Sequence, residues 1–304
     1  MLKTVLLKFP SVYKLIFSLE KVLFRVKYII KSPKSLRIRK YNEVHGYYPN
    51  LIEPRSFSEL IQVRSLDLAP NIYSELTDKY KVRDWVLNRI GEEYLVPLYD
   101  VFKKPEDIDF EALPKEFVLK CNHDSRSAIV CKNRDVLDKS DILFKITRSF
   151  IRNYYHHSLE AHYRHIKPVI LCEKLLSDSS GQLIDYKFHV FHKKIELIQV
   201  DVDRSNGIKR NVYDEDWNST DISLNGVSKG QYFERPSNFE LMKSIAINLS
   251  DDFDYVRVDL YNVDGKIYFG EMTFTPGSGL SLIEPISENE RLGRLWKQGR
   301  SDEK

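Results

Sequence analysis

One stretch constrains the fold of this chain more than any other. Val256-Arg257-Val258-Asp259-Leu260-Tyr261-Asn262-Val263-Asp264-Gly265-Lys266-Ile267-Tyr268-Phe269-Gly270-Glu271-Met272-Thr273 sets Val, Ile, Tyr and Phe on both sides of an Asp-Gly pair, which predicts a β-hairpin. Its apolar arms also carry Arg257, Asp259 and Glu271. Strand periodicity puts Arg257 and Asp259 on one face, and Glu271 and Thr273 likewise on one face. The turn decides whether the two pairs meet. A two-residue loop at Asp264-Gly265 sets Gly270 opposite Asp259 and sends Glu271 to the other face. A three-residue loop, Val263-Asp264-Gly265, pairs Asn262 with Lys266 and Asp259 with Phe269. Glu271 is then a same-face diagonal neighbour of Asp259, roughly 7–8 Å away. Two carboxylates converging there require a positive partner. Mg²⁺ is one such partner, because it takes one or two carboxylates and fills its shell with water and phosphate. Arg257 beside them would hold an anionic oxygen. An edge hairpin whose acids face water is the alternative.

The charge is unevenly spread. Residues 1–40 hold eleven of the 47 Lys and Arg but only Glu20 among the 44 acids, so the rest of the 304-residue chain is net acidic. Within that segment Val12, Leu15, Ile16, Leu19, Val22, Leu23, Val26, Ile29 and Ile30 recur at helical spacing, with Lys14, Lys21 and Arg25 off the stripe. The charges interrupt any run long enough to span a bilayer or to form a signal-peptide core. Three uses are open to this helix: lying on the inner face of a cytoplasmic membrane, packing on its own domain, or meeting a partner. No nucleic-acid motif appears, and an acidic body argues against nucleic acid as a general partner. Cys121, Cys131 and Cys172 form no CxxC pair and leave an odd count, which fits a reducing, cytoplasmic setting.

Between these ends the pattern predicts a helix from Ser56 to Leu68, with Ser56 as N-cap and Glu59 completing a capping box, and a second from about Thr77 to Gly91. Strands follow at Tyr94–Phe102, Glu116–Cys121, Ala128–Lys132, Val169–Cys172, Tyr186–Phe191 and Ile195–Val200. Helices are predicted at Ser140–Tyr155 and Asn238–Leu249. This interleaving lacks βαβα alternation and predicts an α+β fold with antiparallel sheets. No G-x-G-x-x-G, Walker loop or G-x-S-x-G is present. His162 and His165 share a helical spacing, yet no Cys or Asp ligands accompany His156, His157, His162 and His165. They read as groove or surface histidines rather than zinc ligands.

Several pieces in order carry a resemblance. Thr77-Asp78-Lys79-Tyr80-Lys81, Phe117-Val118-Leu119-Lys120, Ile170-Leu171-Cys172-Glu173-Lys174-Leu175-Leu176 and the hairpin closing in Pro276-Gly277-Ser278-Gly279 together resemble the ATP-grasp superfamily. "DKYKVRDWV", "LPKEFVLKCNH", "DYKFHVF" and "VRVDLYNVDGKIYFGEMTFTPGSGL" are similar to its TupA-like branch, found in bacterial surface-polysaccharide clusters. The likeness runs from Ser56 to Leu282. It implies two α+β lobes clamping ATP, with a basic helical tail (1–40), a helical connecting region (41–115), a small lobe (116–176) and a C-terminal lobe carrying a Mg²⁺ site (177–304). It further implies that Lys79 and Lys120 contact phosphate oxygens, with the loop holding Ser125, Arg126 and Ser127 closing over the triphosphate. Glu173, Lys174, Leu175 and Leu176 would read and wall the adenine, and Asp185 the ribose hydroxyls. Asp259, Glu271 and Thr273 would hold the metal. Arg257 would steady the acyl-phosphate oxygens, and Lys187 would reach a phosphate or the acceptor.

Two departures stand out. The loop His123-Asp124-Ser125-Arg126-Ser127 lacks the glycines usual there, and Thr273 stands where Asn is common. The function implied is an ATP-dependent carboxylate-amine ligase of capsule or O-antigen biosynthesis. It would join an amino acid or other amine to a uronic acid of a glycan or lipid-linked intermediate. Two rivals remain: a non-catalytic member of the family, and a glycosyltransferase using the D-x-D of Asp201-Val202-Asp203.

Overall fold

Short segments that alternate apolar and polar residues pair into antiparallel sheets once one face can be buried. The computed structural model describes residues 6–67, 71–125, 127–179, 181, 183–202, 208–227, 229–230 and 232–298. In chain order its helices are α1 (Pro10–Ile30), α2 (Pro33–His45), α3 (Phe57–Leu66), α4 (Asn71–Thr77), α5 (Val82–Arg89), α6 (Lys139–Ile151), α7 (Tyr155–Ser158), α8 (Phe239–Ser250) and α9 (Ile286–Gln298). Its strands are β1 (Leu98–Phe102), β2 (Phe117–Cys121), β3 (Ile129–Cys131), β4 (Ile170–Glu173), β5 (Asp185–Phe191), β6 (Lys194–Val202), β7 (Lys209–Tyr213), β8 (Ser223–Leu224), β9 (Tyr255–Val263), β10 (Lys266–Thr273) and β11 (Ile283–Glu284). The fold is α+β, and every strand pair is antiparallel among the described residues. The chain forms two compact units, Met1–Ser35 with Leu68–Val82 and Val96–Leu175, and Leu36–Asp67 with Arg83–Leu95 and Leu176–Lys304.

In the first unit the sheet runs β1-β4-β2-β3. Phe117, Leu119 and Cys121 of β2 point into a core with Phe102, Phe110, Ile170 and, from α6, Ile142 and Ile146. Each large apolar side chain so buried contributes about 1.5–3 kcal/mol. Lys120, between two core residues, is therefore turned to the other face. The N-cap of α6 is Asp138, which accepts from the Asp141 amide at 3.0 Å. On α1, Tyr13 and Phe17 are buried, with ring centroids 5.1 and 5.2 Å from that of Phe144 on α6. The helix thus packs through aromatics, while Val12, Leu15, Ile16, Leu19, Val22, Leu23, Val26 and Ile30 of its stripe are exposed.

The second unit is built on a sheet of order β10-β9-β5-β6-β7. Val256, Val258 and Leu260 of β9 and Phe188 of β5 share one face, toward α8, whose Met242, Ile245, Ala246 and Leu249 are buried. On the opposite face Phe191, Leu197 and Tyr255 pack with Phe57 and Leu60 of α3 and Trp296 of α9. Val212 of β7 joins this cluster, and farther along the same face stand Asp185, Lys187, His189, Gln199, Asp201, Arg257 and Asp259. The predicted capping box forms: Ser56 Oγ accepts from Glu59 N, and Glu59 Oε2 accepts from Ser56 N at 3.1 Å. Gly293 lets α9 approach the chain before α3, because a Cβ there would lie 2.2 Å from Arg55 O.

Three features depart from the sequence reading. The helix expected from about Thr77 to Gly91 begins only at Val82 as α5, and α4, which was not expected, ends at Thr77; between them Asp78 Oδ1 accepts from the amides of Tyr80 (2.9 Å) and Lys81 (3.3 Å). Such an Asx turn competes with helix. Residues 33–45, where no separate helix was predicted, form α2. Proline is well tolerated in a first helical turn, and the buried members of α2 are Arg37 and Tyr41 rather than an apolar stripe. Finally, α9 was not expected, since two of its buried positions, Asn289 and Gly293, are not apolar side chains.

Candidate functional site

The hairpin of β9 and β10 turns through two residues, Asp264 and Gly265, both left-handed (φ 50° and 89°), with Val263 paired to Lys266. The three-residue loop that pairs Asn262 with Lys266 does not form. A two-residue loop alone would turn Glu271 away from Asp259. A β-bulge reverses that outcome. Phe269 pairs with Leu260, the register then slips, and Glu271 stands directly opposite Asp259 with Thr273 opposite Arg257. The inserted residue is Gly270, where a Cβ would lie 3.0 Å from Asp259 O and 3.3 Å from the Tyr261 ring. Thus the chain reaches one shared face by a different route from either register considered.

Arg257 organises this face. Its Nε donates to Asp259 Oδ1 (2.6 Å), and its Nη2 donates to Asp259 Oδ2 (2.7 Å), Thr273 Oγ1 (3.0 Å) and Glu271 Oε1 (3.2 Å). Opposite Asp259 on β5 lies Lys187, which donates to Asp259 Oδ2 at 2.8 Å and to Asp185. Burial alone would raise the Asp259 carboxyl, but Arg257 and Lys187 outweigh it and hold it below the usual range. The buried Arg257 guanidinium, in turn, is held more firmly protonated by Asp259 than burial disfavours it. The pair is bidentate and is a strong, geometrically specific contact.

The same face continues with His189, Gln199 and Arg210, which were not singled out from sequence, and with Asp201 of the D-x-D, which was. His189 is opposite Arg257, and its Nδ1 lies 3.0 Å from Tyr255 Oη. Burial first, then Arg257 and Lys187, push its imidazole down to about 3. On β6, Gln199 Nε2 donates to Asp201 Oδ2 (2.8 Å), and Arg210 of β7 grips both oxygens of Asp201 at 2.7 and 3.1 Å. That leaves Asp201 bound as an Arg partner, while Asp203, Arg204 and Ser205 lie outside the described residues. The signal was present in the alternation Asp185-x-Lys187-x-His189 and Gln199-x-Asp201, polar residues at period two within apolar strands.

The donor set suits a hard cation. A carboxylate offers about four lone-pair sites, and three hydrogen bonds take three of those on Asp259, leaving about one. Glu271 is 41% exposed and accepts through Oε1 from Arg257 and Thr273. Among the described residues no group of three or more His, Cys, Asp or Glu could hold a metal. A cation here would draw on two carboxylates and take its other ligands from water or phosphate, which is how Mg²⁺ is usually held.

On the first unit Lys120 reaches across the sheet to Glu173, 2.6 Å away, the diagonal that their register allows. Glu173 ends β4, and the Lys174 amide donates to Pro97 O at 2.9 Å. Leu175 closes this unit, and Leu176 and Asp185 belong to the second. Lys79 sits in the turn after α4. Its amide donates to Asn122 O, and its ammonium to the carbonyl of Asp124. Asn122 in turn donates to Asp78 Oδ1 at 2.8 Å. Ser127 Oγ donates to Asp124 Oδ1 and accepts from Cys121 N at 3.0 Å, whereas Ser125 is exposed and Arg126 lies outside the described residues. The loop that lacks glycine is therefore tied by its own side chains. Burial of Asp124, opposed by Ser127 and Lys79, pushes its carboxyl up to about 6.

Comparison with known proteins adds the following. The profile of a family described as TupA-like ATPgrasp matches residues 59–297. Among solved structures, D-alanine–D-alanine ligase from Bacillus anthracis complexed with ATP is similar at 16% identity and a TM-score of 0.39, over 72% of this chain and 59% of that one. A RiPP-associated ATP-grasp ligase from Chryseobacterium gregarium, in complex with ADP and a leader and core peptide, is similar at 14% identity and a TM-score of 0.41, over 82% of this chain and 66% of that one. This chain thus spans less than two thirds of either. No curated protein matches it.

Proposed function

The chain belongs to the TupA-like ATP-grasp family, and from that premise we propose that it is an ATP- and Mg²⁺-dependent ligase joining a carboxylate to an amine. The observation that carries this reading is Asp259, buried yet held ionised by Arg257 and Lys187, with Glu271 opposite it and partly exposed. In the proposed reaction a substrate carboxylate oxygen attacks the γ-phosphorus of ATP, and ADP leaves. The amine nitrogen then attacks the acyl carbon, phosphate leaves, and the nitrogen gives up a proton as the amide forms. Such a transfer depends on positioning and charge neutralisation more than on a protein nucleophile.

Mg²⁺ held through Asp259 and Glu271, with Thr273 beside them, would neutralise charge on the phosphates. Arg257 presents a guanidinium fixed by its bidentate grip on Asp259, suited to an oxyanion on the acyl phosphate. Lys187, fixed between Asp185 and Asp259, is the second cation of that face. Lys79 and Lys120 are the phosphate contacts we assign on the first unit. Glu173 to Leu176 are the adenine contacts, and Asp185 is the ribose contact. We read the acid as a uronic acid of a surface polysaccharide or its lipid-linked intermediate, and the amine as an amino acid.

The test is incubation of the full chain with ATP, Mg²⁺, a uronic-acid glycan and a panel of amino acids. ADP and phosphate should appear in equal amounts, with a product whose mass is the sum of acid and amine less water. An Asp259→Asn, Glu271→Gln double variant with a native circular dichroism spectrum is the control. If the unmodified chain released no more ADP than this control, the ligase reading would fail.

A further inference from the structure

The helix α1 has two opposed faces, and its own unit uses only one. Tyr13 and Phe17 are buried, Phe24 and Tyr28 half-buried, and Tyr28 stacks on His156 at 5.4 Å. Val12, Leu15, Ile16, Leu19, Val22, Leu23, Val26 and Ile30 are all exposed, Leu15 to 61%, Leu23 to 68% and Ile30 to 75%. At 3.6 residues per turn these eight fall within an arc of about 120°, on the side away from Tyr13 and Phe17. A contiguous aliphatic strip of this size is not ordinary surface.

Charge identifies what covers it. Lys8, Arg25, Lys27, Lys31 and Lys34 are exposed on and around the helix, and Glu20, the only acid in residues 1–40, is half-buried. Lys14 is not available in the same way, because it pairs with Glu106. A second copy of the chain meeting stripe to stripe would bring like charges together, which opposes association. An anionic lipid surface satisfies both features at once, taking aliphatic side chains below the headgroups and cations among them. Crossing the bilayer is a different matter. Among the described residues no helix is long and apolar enough to do so.

We propose that α1 is a docking surface for an anionic lipid bilayer, lying flat in the headgroup layer with its aliphatic stripe down and its aromatic face holding the unit above. Nothing in this depends on the chemistry at Asp259.

Flotation of the full chain with phosphatidylcholine vesicles, with and without phosphatidylglycerol, tests it. The unmodified chain should float with the anionic vesicles, and less so as salt is raised. Leu15→Ser, Leu19→Ser and Leu23→Ser together remove only exposed side chains, so the fold should persist by circular dichroism while anionic-vesicle affinity falls at least about tenfold. Lys27→Glu, Lys31→Glu and Lys34→Glu together should lower that affinity by at least about tenfold while leaving binding to neutral vesicles unchanged. Failure of the unmodified chain to float with anionic vesicles would overturn the proposal, as would full binding by the triple serine variant. A dimer that the triple serine variant converts to monomer would also overturn it, since copies of the chain would then cover the stripe.

Discussion

Asp259 in the second unit and Asp124 in the first are both buried acids, 2% and 7% exposed, yet their surroundings drive them in opposite directions. Asp259 receives three hydrogen bonds from two cations and is held ionised. Asp124 receives a serine hydroxyl, while the nearest ammonium, that of Lys79, bonds its backbone carbonyl rather than its carboxylate. It is pushed up to about 6. Burial is therefore not what decides charge in this protein. The decisive quantity is how many cations aim at the carboxylate itself, and by that measure the second unit keeps a permanent anion while the first keeps one that titrates near neutrality.

Replacing each acid by its amide breaks the comparison most directly. Asp259→Asn leaves Arg257 and Lys187 buried without their shared anion. Removing one partner of such a pair costs about 3–5 kcal/mol, which urea unfolding should show. ADP release in the ligase assay should fall by about a thousandfold, because charge stabilisation at the transferring phosphate is lost. A smaller perturbation tests the geometry rather than the charge. Gly270→Ala places a Cβ 3.0 Å from Asp259 O, so the Asp259 backbone beside the bulge must give way by a few tenths of an ångström. A loss of about 1–3 kcal/mol is expected, with ADP release reduced by more than stability alone explains. Unchanged activity in a stable Gly270→Ala variant would show that Glu271 need not stand opposite Asp259.

The contrast also marks how far sequence reading reaches. Residue types on the hairpin were legible, since period two forces Arg257 with Asp259 and Glu271 with Thr273 whatever the turn does. The register was not, because the bulge at Gly270 is decided by a backbone approach between neighbouring strands that local pattern does not encode. Lys120 could be read from β2 because apolar neighbours on both sides fix its direction. Asp124 could not: His123-Asp124-Ser125 has the composition of a solvated loop, and its partners are met only after folding, the Lys79 ammonium on the Asp124 carbonyl, the Ser127 hydroxyl on the Asp124 carboxylate and the Arg152 carbonyl beside the His123 ring. The Asp78 turn was hidden for a related reason, since its carboxylate competes with a helix that propensity alone would continue. Where one face of a strand determines the outcome, sequence suffices; where a polar side chain finds its partner only after folding, it does not.

Asp124→Asn sharpens the comparison with the smallest expected effect and the opposite sign. The folded-state carboxyl, at about 6, lies above its ordinary value of 3.8, so the native state binds its proton more tightly than the unfolded chain does. The stability this contributes is complete below about pH 4 and is lost as pH rises through about 6. At pH 7.5 an ionised Asp124 therefore costs the fold, whereas Asn keeps an acceptor for Ser127 without a charge to bury. The variant should be more stable than the parent by on the order of 1–2 kcal/mol at that pH and indistinguishable near pH 4. Urea midpoints measured across this range check both sign and window. A variant destabilised equally at both pH values would mean that Asp124 is held as an anion after all, and the asymmetry between the two buried acids would disappear.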